Sequence, residues 1–499
     1  MKPEPPAWAA PVALASLTCL VYLPCLANGF VLDDVFYIAL NRAVREPGRW
    51  LSFFYDASAI SADASLSSII YRPLLGLSHG LNAWLCGPAP FWFHLHDILL
   101  HAGVTALVYL LARRLGARGW AAWAGALLFS LHPVQVQSVA YAGSRAGLLS
   151  LFFILLALNA HRDGKARLSW TWFGLALLSK ESSVFFAALV PAHDWVYGPV
   201  HESWRRRLGR WLPFALLAAA FLACRWAVLG RLSQSGPWGG SWAVHGQLMA
   251  HAWFQYLRMA LWPAGLREPY GFVMGPHFLA ASWAMAAAFL ALAAAAVWGL
   301  LRRKPWGFAG AWFFLALAPV SQLVPFTCLA ADRLLYASMA GLALLACRLV
   351  PVRPGRPVQA GLAVLGLWLV LANLGQQLHW RCDFVLAGEA CAAAPGEPYA
   401  ALRLSMPYMN WRMLDRAEAL ARPALAAGSP PDVRRVGLRR LGQIRMAQKR
   451  WAEAEAFLET ALALRAGQKT VLSMLAQCAR ARGDYARAQD LAGRAAALP

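Results

Sequence analysis

Apolar residues in this chain come in long runs rather than in alternation. Val12 to Ala27 is the first run, and others follow as far as Leu371. A helix needs about 20 apolar residues to cross a bilayer, and the runs fit that period. Between them lie short turns dense in cations: Arg113, Arg114 and Arg118; Arg162, Lys165 and Arg167; Arg205, Arg206, Arg207 and Arg210; Arg302, Arg303 and Lys304; Arg348, Arg353 and Arg356. The alternate loops at 132–139, 179–183 and 325–332 carry almost no cations. The pattern predicts an all-α chain whose residues 1–375 form a polytopic membrane domain of about eleven spans. Cationic loops mark the cytoplasmic face, which puts the N-terminus inside and the C-terminal region outside.

Two outer loops are long. Residues 28–90 hold Asn28–Gly29–Phe30–Val31–Leu32–Asp33–Asp34, a polar stretch at 58–68, and Tyr71–Arg72–Pro73. Residues 229–277 hold a Gly/Trp-rich turn and then 251–261, which is too short and too polar to span. Both loops are expected to form helices lying at the outer interface, where Trp and Tyr are favoured. A transporter would centre its polar groups at mid-bilayer instead.

Beyond a linker at 376–399, residues 400–499 turn to Ala, Leu, Arg and Glu with helical period. The stretch from Leu441 recurs from Leu475. Trp451 maps to Tyr485, Ala454 to Ala488 and Ala461 to Ala495, each offset by 34 residues. That is the period of tetratricopeptide helix hairpins. A degenerate copy around Ala417–Ala424 precedes them. Such solenoids bind peptides of many kinds.

Composition agrees with a membrane chain: 59% hydrophobic, 14% charged, 24 Trp. The net charge of +22 sits largely in the inter-span turns, where it contacts anionic lipid. No basic, aromatic-interleaved module is present, which excludes nucleic acid. Lys2 and the first apolar run resemble a signal peptide, but Pro24 and the later spans favour a retained helix. The nine Cys include no CxxC pair, so no zinc or thioredoxin-like site is indicated. Cys19, Cys25, Cys224, Cys328 and Cys347 read as packing residues. Cys382 and Cys391 are the pair able to bridge, given an oxidising compartment.

Charge at a membrane boundary points to function. The outer-face polar residues are Asp33 and Asp34, Arg72, His132, Arg145, Lys180 and Glu181, and Asp332 and Arg333. Each also has a bland reading. Arg145 and Lys180 are either ligands or interfacial anchors. Glu181 either lines a site or pairs with Lys180. His94, Asp97 and His101 share one helix face, which either binds substrate or satisfies a buried polar cluster. His132–Pro133 shapes a helix end.

The segments NGFVLDD, YRPLLGLSHGLN, FHLHDILLH, LLFSLHPVQVQSVAY, SRAGLLS, LALLSKESS and ADRLLYASMAGLALL follow in this order. Together with the C-terminal repeats they resemble the transmembrane and tetratricopeptide repeat-containing O-mannosyltransferases and their bacterial relatives, GT-C glycosyltransferases. The resemblance implies transfer of a hexose from a polyprenyl-phosphate carrier to an acceptor hydroxyl outside the cytoplasm, with inversion. Such transfer needs a carboxylate base and cations for the departing phosphate. By resemblance Asp33 is the base and Asp34 orients it or the acceptor. Arg72, Arg333 and Lys180 contact the phosphate. Tyr71, Glu181, Arg145, His132, Asp332, Tyr336, His94, Asp97 and His101 are candidates for the substrate pocket. Asp97 departs from the Asn usual in the family.

No cofactor is implied. One carboxylate pair supplies few ligands for a divalent metal, whose involvement stays open. Expected partners are membrane lipid, the lipid-linked sugar and an acceptor protein reached through the repeats. The rival readings are transfer to a glycolipid or polysaccharide, and a membrane-anchored scaffold without activity. The positive loops predict that a reporter enzyme fused after residue 499 is active only outside the cytoplasm. Activity inside would mean a miscounted span.

Overall fold

The computed structural model describes residues 8–63, 69–231, 236–238, 241–266, 268, 270, 278–326, 328–351, 355–393, 398–464 and 468–497. Arg353 and residues 64–68 of the polar outer stretch fall outside that set. The described residues form helices and turns and no strand. In hydrocarbon every backbone N–H and C=O must find its partner within its own segment, which a helix provides. The chain divides into two compact units, Met1–Ala62 with Ile70–Arg381, and Asp63–Ile69 with Cys382–Pro499.

The first unit begins with α1 (Ala9–Tyr22), which runs on through a 3-10 turn to Ala27. Short helical turns at 35–39, 42–45, 47–54 and 57–60 fill the first long loop, followed by α2 (Pro73–Cys86). Then come α3 (Pro90–Arg114), α4 (Gly119–Leu131), α5 (Arg145–Arg162), α6 (Ala166–Ser179), α7 (Phe186–Tyr197) and α8 (Trp204–Leu229). The unit ends with α9 (Trp242–Leu261), α10 (Phe278–Leu301), α11 (Pro305–Leu317), α12 (Tyr336–Leu349) and α13 (Arg356–His379). Helix α9 is longer than the 251–261 segment expected from polarity.

Among the described residues six helices are long and apolar enough to cross a membrane, and three apolar helices are shorter, Gly119–Leu131, Pro305–Val320 and Tyr336–Leu349. The expectation of about eleven spans, counted between cationic and cation-poor loops, exceeds the six long helices, and apolar helices of the shorter kind stand beside them. Tight turns interrupt them, with Pro133 and Pro319 at the first positions of two.

Polar groups tie the apolar helices together. Asn373 on α13 donates to the Tyr22 hydroxyl at 2.9 Å and to the Leu131 carbonyl at 3.2 Å. Gln377 donates to the Val21 carbonyl at 2.9 Å. The hydroxyls of Thr18 and Ser130 lie 2.7 Å apart. Inside lipid the hydrophobic effect does not draw helices together, so close packing and such bonds do. Gly341 supplies the packing for α12, since a Cβ there would sit 2.6 Å from the Phe313 backbone nitrogen on α11.

The second unit holds α14 (Asp383–Ala393), α15 (Pro398–Asn410), α16 (Leu414–Ala421), α17 (Pro431–Ala447), α18 (Trp451–Leu464), α19 (Lys469–Ala481) and α20 (Tyr485–Ala496). The stretch expected as a linker thus contains the end of α13 and all of α14. Three hairpins follow: α15–α16, α17–α18 and α19–α20. Ala454, Ala461, Ala488 and Ala495 are buried between the helices, so the repeat period records where small side chains let helices meet. Gly442 does the same, for a Cβ there would come within 2.7 Å of Leu458. Buried Arg445 binds Glu418 through two nitrogens at 2.6 and 2.8 Å and Glu453 at 2.9 Å, linking the first two hairpins.

Candidate active site

The acidic motif closes a turn in which the Asp34 N–H donates to the Val31 carbonyl at 3.1 Å. Leu32 takes φ +54° inside that turn, a conformation that costs a branched side chain and persists only where its surroundings enforce it. The result sends two adjacent carboxylates to different places. Asp34 is fully buried. Its oxygens accept from the N–H groups of Gly143 at 2.6 Å and of Ala142 and Val31 at 3.3 Å. Burial pushes its pKa up, and the three amide donors pull the other way. Asp33 stays half-exposed and accepts a hydrogen bond from the Tyr141 hydroxyl at 3.2 Å.

Tyr141 then leads to a second motif. The Arg333 guanidinium lies over its ring, 5.9 Å from the centroid. Arg333 pairs with Glu268 at 3.2 Å, and its backbone N–H donates to Gln137 at 2.7 Å. Gln137 in turn donates to Glu268 at 2.8 Å. Burial opposes the Arg333 charge, but the groups around it, Glu268 and Asp33 among them, raise its pKa.

Arg72 holds Glu181 through two parallel hydrogen bonds of 2.8 and 2.6 Å, the fork geometry that suits guanidinium to a carboxylate. Glu181 therefore pairs with Arg72. Burial would raise the Glu181 pKa, yet Arg72 brings it down to about 2. Burial, helped by the nearby charges of Arg72 and Arg333, lowers Lys180 to about 7, with Glu181 opposing. Tyr37, which is buried, lies among the charges of Asp33, Arg72, Arg333 and Glu181. The fold thus gathers Asp33, Arg72, Lys180, Glu181 and Arg333 around one centre.

The other candidates are taken up by packing partners, Asp332 and Tyr71 beside the cluster itself. Arg145 is buried and donates to Asp97 at 2.5 Å, to the Asn82 side chain and Phe93 carbonyl at 3.0 Å, and to the Ser78 carbonyl at 3.4 Å. It binds α2, α3 and α5 to one another. His101 Nε2 faces the Ser130 carbonyl at 3.2 Å, so that nitrogen carries the hydrogen and Nδ1 accepts from the Tyr336 hydroxyl at 2.8 Å. His94 reaches the Gly29 carbonyl at 3.4 Å. His132 is buried, and its Nδ1 accepts from the Val134 N–H, capping the turn after α4. Asp332 is buried and accepts from Tyr270 at 2.5 Å. Tyr71 is buried with its hydroxyl on the Phe54 carbonyl at 3.0 Å.

Sequence reasoning missed Tyr37, Tyr141, Gln137 and Glu268. Tyr141 and Gln137 sat inside a quoted motif, LLFSLHPVQVQSVAY, as its only large polar side chains besides His132 and Gln135. Glu268 follows Arg267 in the second long loop, outside every motif named above. The ligand atoms of His161, His193 and Asp194 lie within 4.8 Å of one another, the spacing of a metal site. Here Asp194 already accepts from both His, from Trp211 at 3.0 Å and from Arg210 at 3.2 Å, while Arg162 lies 2.8 Å from His193. Two guanidiniums against the ligands disfavour a cation.

Removing Arg145 leaves Asp97 as an uncompensated buried charge. Arg145→Ala is expected to cost about 3–5 kcal/mol, and the double change Arg145→Met with Asp97→Leu is expected to recover most of it. Thermal melts of the purified chain in detergent measure both.

No protein-family model matches the chain. It is similar to the protein O-mannosyl-transferase TMTC1 of Mus musculus, 39% identical over 160 residues, which is 32% of this chain and 17% of that protein. TMTC2 of Mus musculus is 30% identical over 200 residues, 37% of this chain and 24% of that protein. Tmtc2 of Drosophila melanogaster is 40% identical over 143 residues, 28% and 15% respectively. The chain therefore spans less than a quarter of the length of these relatives. Among solved structures, ArnT from Cupriavidus metallidurans bound to undecaprenyl phosphate aligns over 98% of this chain and 77% of its own, with TM-score 0.41 and 16% identity. Over about a third of its length, this chain is a sequence relative of the protein O-mannosyl-transferases.

Proposed function

We propose that this chain is an inverting membrane glycosyltransferase. It moves a hexose, mannose by kinship with the O-mannosyl-transferases, from a polyprenyl-phosphate carrier to the hydroxyl of a protein Ser or Thr on the non-cytoplasmic face. The observation that carries the reading is the placement of half-exposed Asp33 beside Arg333 and Tyr141, with Arg72, Lys180 and Glu181 in the same cluster.

In this mechanism Asp33 takes the proton of the acceptor hydroxyl while that oxygen attacks the anomeric carbon. The bond from that carbon to the phosphate oxygen breaks, and the polyprenyl phosphate leaves with the electron pair. Attack from the opposite face inverts the configuration. Tyr141 holds the carboxylate through its hydroxyl. Arg333, Arg72 and Lys180 stabilise charge growing on the phosphate, a preorganised role that costs no rearrangement at the moment of reaction. Glu181 occupies Nε and one Nη2 hydrogen of Arg72, which leaves other N–H groups of that guanidinium for a phosphate oxygen. Asp34 acts through structure, pinning the Asp33 turn to the loop that supplies Tyr141.

Asp33→Asn keeps size and hydrogen bonding but loses the base. Transfer from a polyprenyl-phosphate sugar is expected to fall roughly a hundredfold to ten-thousandfold with donor binding intact. Near-normal turnover in this variant and in Asp34→Asn would leave the scaffold reading ahead.

Lys180 carries its charge below about pH 7 and loses it above. Binding of the anionic donor is therefore expected to weaken as pH rises through that value. Lys180→Arg, charged throughout, is expected to flatten the profile. Donor titrations in detergent across that range decide it, and an unchanged slope in Lys180→Arg would remove Lys180 from the phosphate site.

A further inference from the structure

The chemistry above gives Tyr37 no part, although the acidic turn delivers it to the site. Its N–H donates to the Asp33 carbonyl at 2.9 Å, which closes one helical turn, and residues four apart in such a turn share a face. Tyr37 therefore stands on the face that carries half-exposed Asp33. The next bond is wider, for the Leu40 N–H reaches the Val35 carbonyl at 2.8 Å, five residues back. Such π turns are rare and recur at functional sites. Bonds on either side hold the segment. The Ala62 N–H donates to the Phe36 carbonyl at 2.9 Å, and the Asn41 side chain donates to the Ala59 carbonyl at 3.0 Å. Tyr37 itself is buried, with 4% of its surface exposed. Its hydroxyl oxygen is not sealed from solvent, and no hydrogen bond to another described residue engages it. A buried tyrosine hydroxyl usually has such a partner. The charged groups around it are Asp33, Arg72, Arg333 and Glu181. These bond elsewhere, Asp33 with Tyr141, Arg72 with Glu181 and Arg333 with Glu268. The hydroxyl thus faces the space between them.

We propose that the Tyr37 hydroxyl selects the sugar by hydrogen-bonding the hydroxyl on C2 of the donor, the carbon next to the anomeric centre. The inference rests on the glycosyltransferase reading. In a displacement with inversion, the acceptor oxygen and the departing phosphate oxygen lie on opposite sides of the anomeric carbon. Asp33 serves the first, and the guanidiniums of Arg72 and Arg333 serve the second. A group placed among all three stands level with that carbon. Its two remaining heavy neighbours are the ring oxygen and C2. The ring oxygen gains positive charge in an oxocarbenium-like transition state, and a phenol hydrogen directed at it would oppose the reaction. The C2 hydroxyl can both give and receive a hydrogen bond, as the phenol can, and bonds to it strengthen in transition states of this type. The residue type agrees. A cation here would join the phosphate, and a carboxylate would compete with Asp33 for the acceptor proton. A neutral phenol does neither. Burial, followed by the Asp33 carboxylate, pushes its pKa up, so it keeps its hydrogen.

The test compares Tyr37→Phe with the parent, as full chains in detergent micelles, on polyprenyl-phosphate donors carrying mannose, 2-deoxymannose or 6-deoxymannose. The readout is kcat/KM for transfer to one Ser/Thr peptide. Removing a sugar hydroxyl alters the intrinsic reactivity of the donor, but it does so equally for both proteins. The ratio of the two proteins' rates therefore isolates the contact, as in a double-mutant cycle. Tyr37→Phe is expected to slow transfer of mannose and of 6-deoxymannose about tenfold, as the loss of one hydrogen bond implies. Transfer of 2-deoxymannose is expected to be the same in both proteins. The melting temperature is expected to hold, since the lost hydroxyl bonds nothing in the fold. Equal slowing on all three donors would overturn the inference in favour of a contact to the phosphate or the acceptor. A rate ratio that vanishes with the 6-deoxy donor instead would assign Tyr37 to another hydroxyl, and no effect on any donor would remove it from the site. Each of those results leaves the glycosyltransferase reading standing, because the parent transfers sugar. A parent that transfers none of the three would bring that reading down and this inference with it.

Discussion

The burial of Asp34 is the constraint on which the arrangement of the site depends. A carboxylate with no access to water is costly unless hydrogen bonds replace its hydration. Three backbone N–H groups do so here, two of them from Ala142 and Gly143. Those bonds fix the acidic turn against the segment that begins α5. Because the turn reverses at Leu32, fixing Asp34 inward leaves Asp33 outward against the Tyr141 hydroxyl. One carboxylate is taken up by the framework, and its neighbour is left half-exposed beside Tyr141.

A second layer of charge supports that arrangement. Arg145 and Asp97 form a buried pair that joins α2, α3 and α5, and α5 follows directly on the Tyr141 segment. The Arg72–Glu181 pair is half-buried at the site itself, and Arg333 pairs there with buried Glu268. With Lys180 and Asp33 added, three cations face three carboxylates. The carboxylates hold the guanidiniums in their orientation.

The second unit relies on different physics. Its helices meet through Ala and Gly at repeated positions, with ion pairs such as Arg445–Glu418 across hairpins. Each hairpin leans on its neighbour, so the unit presents a continuous side lined by equivalent positions. That is why Gln443 and Gln477, far apart in the chain, lie along one groove.

Apolar runs, cationic turns and the 34-residue offset were enough to establish helices, a membrane unit and stacked hairpins, because burial in lipid and helix pairing impose periods that sequence carries directly. The motif residues Asp33, Arg72, Lys180, Glu181 and Arg333 were legible for a related reason, since charge beside a long apolar run stands out. Their partners were not. Glu181 meets Arg72 across 109 residues of chain, and Glu268 meets Arg333 across 65. Arg145 carried the same signal as Arg72, yet packing buried it against Asp97. His101 and Tyr336 were candidates that packing turned into a hydrogen-bonded pair between helices. Local pattern reports which groups are charged and which helices form. Which charges face a cavity and which are buried in pairs depends on how distant helices pack, and only the tertiary structure decides that.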